Sequence, residues 1–169
     1  VHSICESNHL NLFIVEYFVN GDDKLKADMQ TLIDDLHDAK EYGSILNITH
    51  VDFDAMYARF DEIKNEASIY TELVFDDLLP FVQVTQVMAQ KYDVVVTNPP
   101  YMGGNGMGSN LSEYVKKNYP DTKSDLFSCF IEKGFSLTKN TGFVAMITME
   151  SWMFLSSFEK LRKGLLAKY

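Results

Sequence analysis

Apolar residues fall three and four apart through the first half of this chain and run together in the second half. From Asp22 to Tyr42, Leu25, Met29, Leu32, Ile33 and Leu36 recur at helical spacing, and Gly43 stands where a helix would end. From Asp52 to Glu66 the stripe is Phe53, Met56, Tyr57, Phe60 and Ile63. Ser68 to Gln90 continues the helical pattern, and Pro80 must break it, kink it or open a second helix in its first turn. These stripes read as core packing and the acidic faces opposite as solvated. His2 to Leu10 reads as a short strand and the loop after it.

The pattern changes near Lys91. Tyr92–Thr97 is continuous and β-branched, which predicts a strand buried on both faces of a parallel sheet. Met102 to Asn110 is glycine-rich. Leu111–Tyr119 predicts a short helix stopped by Pro120, and Ser124–Leu137 a helix with Leu126, Phe127, Phe130 and Ile131 on its apolar side. Gly142–Thr148 predicts the next buried strand and Phe154–Leu166 the next helix. Strand, helix, strand, helix implies an α/β fold with a parallel sheet and right-handed crossovers. No internal repeat or low-complexity tract interrupts it.

Charge sharpens this division. The net charge of −9 argues against a simple nucleic-acid binder. Residues 1–91 carry 6 Lys+Arg against 17 Asp+Glu; residues 92–169 carry 9 against 7. The second half is therefore mildly basic, and most phosphate-binding charge for a DNA substrate would have to lie elsewhere. No apolar run approaches the roughly 18 residues needed to cross a bilayer, and no secretion signal is visible. Cys5 and Cys129 offer no disulfide framework. The expectation is a cytoplasmic protein without a membrane partner. His2, His9, His37 and His50 have no metal-ligand spacing, so no metal is expected.

The chemistry concentrates in Asn98-Pro99-Pro100-Tyr101, directly after the first β-branched run. A Pro-Pro pair falls at only about one position in 400 in average sequence. The bland alternative is a strand end followed by a proline turn with a surface tyrosine. Ligands of open α/β sheets bind at the carboxyl ends of strands, which favours the functional reading.

This tetrapeptide, the segment Lys123-Ser124-Asp125-Leu126-Phe127-Ser128-Cys129-Phe130-Ile131-Glu132-Lys133, and Thr141–Trp152 with its following helix resemble DNA N6-adenine methyltransferases. The resemblance covers roughly Lys91 to the end. Lys40-Glu41-Tyr42-Gly43-Ser44-Ile45 and the long helical stretch look most like the large PglX-type enzymes of bacterial phage-exclusion systems.

The resemblance implies part of a Rossmann-like, S-adenosylmethionine-dependent methyltransferase fold, a parallel sheet flanked by helices, with a helical insertion. Residues 1–20 would be a strand and loop of the methyltransferase core, 21–90 the acidic insertion, and 91–169 the catalytic half. Asn98 and Pro99 would bind the target amino group and Tyr101 would stack on a flipped adenine. Pro100 would stiffen the loop. Phe130 would pack against the adenine of S-adenosylmethionine, with core packing as the alternative. Glu6 and Asn8 would match a cofactor-edge position.

The physical logic supports those roles. An adenine N6 lone pair is delocalised into the ring and must move toward tetrahedral geometry to attack a methyl sulfonium. Two acceptors aimed at its two N–H bonds favour that change. The Asn98 side-chain oxygen and the Pro99 carbonyl are the candidates, the latter held by two fixed φ angles. A base in a duplex must flip out to reach them.

The implied substrate is duplex DNA, with defence-system proteins as possible partners. The glycine-rich cofactor loop and the ribose-holding acid are expected before residue 1. Gly104-Asn105-Gly106-Met107-Gly108 follows the motif and reads instead as a mobile loop near the substrate. The chain reads as a piece of a larger enzyme, inactive by itself, whose unpaired sheet edges would favour self-association. Cys129 lies among apolar neighbours and is no nucleophile. Two alternatives stand: a protein-glutamine or ribosomal-RNA amino methyltransferase, and a non-catalytic interaction module of a defence complex.

Overall fold

A computed structural model describes residues 2–66 and 68–168. The chain divides into two compact units, Val1–Gln90 and Lys91–Tyr169.

The first unit is helical. Its α1 (Leu12–Val19) starts at Asn11, whose side chain accepts from Phe13 N, and ends at Asn20 in a left-handed conformation. The sequence reading missed this helix because LFIVEYFV is apolar almost all round and shows no stripe. Nor do residues 2–10 form the expected strand, since among the described residues no strand pairs with them. Ser7 instead donates its amide to Leu36 O and its hydroxyl to Ile33 O.

The predicted helix from Asp22 to Tyr42 is two helices. α2 (Asp23–Asp35) is capped by Asp22, and α3 (Ala39–Tyr42) follows a break at Asp38, which has a left-handed φ of 55°. Gly43, with φ 66°, follows α3. α4 (Phe53–Ile63) starts at the expected place because the Asp52 side chain accepts from Ala55 N. The last helical stretch divides into α5 (Tyr70–Leu73), a π-helical turn at Val74–Leu78, and α6 (Leu79–Ala89) with Pro80 in its first turn. Proline lacks the N–H that would continue the ladder across this join. Met29, Leu32, Met56, Phe60, Val74, Leu78 and Phe81 are buried, with Phe18 and Phe60 ring centres 4.6 Å apart.

The second unit is built on two parallel strands, β1 (Tyr92–Thr97) and β2 (Thr138–Met146). Between them lie α7 (Ser109–Asn118) and α8 (Leu126–Leu137), as a parallel pair requires a crossover. α9 (Glu159–Lys168) follows two 3-10 turns, so the final helix begins later than Phe154. Val95 pairs with Val144 and Thr97 with Met146, while the register slips between Tyr92 and Val94. Gly142 sits at that slip: a Cβ there would lie 2.7 Å from Asp93 O and 3.0 Å from Tyr92 O.

α8 covers one face of this pair, and a Cβ at Gly134 would meet Met146 and Val144. The other face is bare: Val94, Val96 and Phe143 are 55%, 73% and 73% exposed. The expectation of strands buried on both faces therefore fails within this unit, because among its described residues only one face has a covering layer. Phe127, Ile131, Phe158 and Leu161 form the core, with Phe135, Met146, Trp152 and Leu165 against it.

Candidate active site

β1 delivers Asn98, Pro99, Pro100 and Tyr101 to the carboxyl end of the strand pair. Ile147 N donates to Thr97 O at 3.3 Å, so the two strands are still joined one residue before the tetrapeptide. Beyond that bond the environments alternate: Asn98 is exposed, Pro99 buried, Pro100 exposed. Among the described residues neither the Asn98 amide nor the Pro99 carbonyl takes part in a hydrogen bond. Two neighbouring acceptors in a proline-stiffened turn are thus left without an internal donor, the Asn98 amide on an exposed residue and the Pro99 carbonyl on a buried one.

Tyr101 is held from two sides and remains 47% exposed. Its hydroxyl donates to Ile147 O at 2.9 Å. Its ring lies 5.9 Å from that of Phe127, tilted by 53°. Phe127, on the first turn of α8, is buried and touches Phe158 in turn. The ring is therefore braced against a core side chain while Tyr101 stays about half exposed.

Asp125 fastens the loop that follows. Its Oδ1 accepts from Met102 N at 3.0 Å and from Phe127 N at 3.3 Å. Leu126 N donates to Met102 O at 2.9 Å, Gly104 N donates to Ser124 O at 3.3 Å, and Gly103 forms an antiparallel bridge with Asp125. The start of the glycine-rich loop is thus fastened to the segment before α8. The segment before α8 is braced too: Thr122 donates to Glu132 Oε2 at 2.9 Å, and the Ser128 hydroxyl bonds Thr122 O.

Two groups on α8 have shifted acidities. Burial pushes the Cys129 thiol up to about 12, which fits its being no nucleophile. Burial, aided by the nearby Lys91 charge, lowers the Lys133 ammonium to about 8.

Residues 6–169 match the Eco57I restriction-modification methylase family. The chain belongs to that family. It is 46% identical over 131 residues to the adenine-specific methyltransferase BrxX of Escherichia coli O9:H4 (strain HS). It is 39% identical over 130 residues to the adenine-specific methyltransferase PglX of Lacticaseibacillus casei (strain Zhang). These alignments cover 76% and 73% of the chain but only 11% of each relative.

Within this Eco57I-type methylase segment, Asn98 to Tyr101 are contiguous at the strand end. Phe130 is half-buried on α8, three residues beyond Phe127. Glu6 and Asn8 belong to the first unit and are locally engaged. Glu6 accepts from Lys40 N at 3.2 Å and pairs with the Lys40 ammonium at 3.1 Å. Asn8 accepts from Asp38 N at 2.9 Å and donates to Asp38 Oδ1 at 2.6 Å. The described residues 2–10 form no strand to carry them, and their side chains are turned to Lys40 and Asp38.

Sequence reasoning assigned no role to Asp125 or Ile147. Asp125 carries a visible signal, an aspartate directly before an apolar helical run, but this announces only a helix cap. Ile147 acts through its carbonyl, which no residue type encodes.

Proposed function

We propose that this chain carries the acceptor-binding part of an adenine-specific DNA methyltransferase, working in the cytoplasm in restriction-modification or phage defence. In this reading β1, α8 and β2 belong to a Rossmann-like methyltransferase core, residues 91–169 are its catalytic half, and 21–90 are a helical insertion. The observation that carries the proposal is the unpaired acceptor pair, Asn98 side chain and Pro99 carbonyl, beside a braced and half-exposed Tyr101.

The residues act as follows. Asn98 and Pro99 accept the two N–H bonds of a flipped adenine N6. As that nitrogen takes the methyl group, with the sulfonium S–C bond breaking and its electron pair left on sulfur, its positive charge grows until one N–H proton is released to solvent. Both acceptors bind it more strongly than the flat ground state. Tyr101 stacks on the base, a contact worth about 1–3 kcal/mol. Bracing by Phe127 and Ile147 lowers the cost of ordering it.

S-adenosylmethionine supplies the methyl group when bound. The residues present fit the acceptor side better than the donor side. Phe130 is the donor-side residue we assign, because it is only half-buried while Leu126 to Cys129 and Ile131 around it on α8 are buried. Glu6 and Asn8 have their polar atoms already engaged and carry no step here.

The test is transfer of labelled methyl from S-adenosylmethionine by the full-length parent protein. The proposal expects label at N6 of adenine in duplex DNA and none in adenine-free duplex. Label found only in protein glutamine or ribosomal RNA would contradict it.

A further inference from the structure

We infer that Asp125 is a positioning residue for the acceptor site: one carboxylate oxygen sets both the chain that follows Tyr101 and the ring on which Tyr101 rests. This inference rests on the methyltransferase reading of the same site.

The geometry is specific. Oδ1 of Asp125 accepts from the amide of Met102, the residue immediately after Tyr101, at 3.0 Å. The same atom accepts from the amide of Phe127 at 3.3 Å. Phe127 supplies the ring 5.9 Å from that of Tyr101. A helix cap alone would need only the second bond. The first reaches across 23 residues of sequence and is repeated by Leu126 N to Met102 O at 2.9 Å. Asp125 therefore couples the backbone on one side of Tyr101 to the support beneath its ring.

Removing the oxygen leaves the Met102 amide without its acceptor and frees the turn that presents Asn98, Pro99 and Tyr101. The chemistry needs an acceptor and not a negative charge, since both partners are neutral amides. Asparagine has the same acceptor at the same reach and ranks with aspartate as a cap. Asp125→Asn should therefore restore what Asp125→Ala loses, which a role in charge or proton transfer would not allow.

The experiment uses the full-length parent protein with three variants: Asp125→Ala, Asp125→Asn, and Ile131→Ala as a control. Ile131→Ala loosens α8 from its core side without touching the loop. The first readout is amide hydrogen exchange, which is independent of activity. Asp125→Ala should lose protection at Met102 and Phe127, while Asp125→Asn and Ile131→Ala keep it at Met102.

The second readout is steady-state methylation of plasmid DNA. Asp125→Ala should lower kcat by about 10- to 100-fold with KM for S-adenosylmethionine little changed, as a small misplacement of reacting groups does. Asp125→Asn should recover most of that rate, and Ile131→Ala should lose little of it.

Retained Met102 protection in Asp125→Ala would overturn the inference whatever the activity. So would an equal kcat loss in Ile131→Ala, or an Asn variant as slow as the Ala one. An inactive wild-type parent would count against the proposed function instead, and the exchange data would still decide the role of Asp125.

Discussion

The Tyr101 hydroxyl donates to the backbone carbonyl of Ile147 at 2.9 Å, so the side chain proposed to stack on substrate also ties the end of β1 to the end of β2. The backbone makes the same connection one step earlier, through Ile147 N and Thr97 O. Position and stability of the site are thus linked in one residue, and its two functions can be separated by substitution.

Tyr101→Phe keeps the ring and removes the tie. Because Ile147 O can turn to water, the expected loss is small, about 0.5–1.5 kcal/mol of unfolding free energy. Tyr101→Ala removes the stack as well and should weaken productive DNA binding by about 5- to 150-fold. Chemical denaturation and methylation kinetics of the full-length variants check the pair. Equal kinetic losses in both would contradict a stacking role.

Two glycines should respond differently to alanine. At Gly142 the added methyl meets the Thr138 methyl at 2.5 Å and, beyond it, fixed backbone, Asp93 O at 2.7 Å and Tyr92 O at 3.0 Å. At Gly134 it meets the Met146 methyl at 2.2 Å, the end of a flexible side chain, and Val144 at 3.2 Å. Alanine also favours the helix at Gly134 by about 0.8–1 kcal/mol, which offsets part of the crowding. Gly142→Ala should cost about 1–3 kcal/mol and Gly134→Ala clearly less, read from thermal melting.

Lys133 makes stability pH-dependent. Its folded value, lowered to about 8 by burial and by Lys91, lies below the ordinary 10.5. The unfolded chain binds the proton more tightly, so this group's contribution is full above about 10.5 and is lost as pH falls through about 8. Wild type should therefore gain stability relative to Lys133→Met between those values, by up to about 3 kcal/mol. Parallel pH-stability curves would refute the burial of this ammonium.

The bare sheet face predicts association of this chain in isolation. Val94, Val96 and Phe143 lie together by register and are more than half exposed. Sedimentation should show mass rising with concentration, and Phe143→Lys should suppress it. A constant monomer mass for the unmodified chain would contradict the prediction.

Much of this architecture was legible in the residues, and the failures share causes. Helices with an apolar stripe and a cap, such as α4 after Asp52 and α8 after Asp125, stand where their patterns place them. α1 escaped because nearly every position is apolar, so its period is invisible. The strand expected before Leu10 failed because residue type cannot report whether a partner strand exists. The β-branched run of β1 signalled a strand correctly but not that one of its faces lacks a cover. At the candidate site, Asn98, Pro99, Pro100 and Tyr101 stood out in the sequence by rarity, and the structure keeps them together at the end of β1. Asp125 and the Ile147 carbonyl act through bonds spanning 23 and 46 residues, which no local pattern displays.

The most direct measurement is methylation of adenine-containing duplex DNA by the full-length parent carrying Asn98→Ala. The Asn98 amide is exposed and makes no hydrogen bond among the described residues, so the melting temperature should stay unchanged. Loss of one of two acceptors for the developing charge should lower kcat by about 100-fold or more. A variant that melts normally and methylates at the wild-type rate would contradict the account.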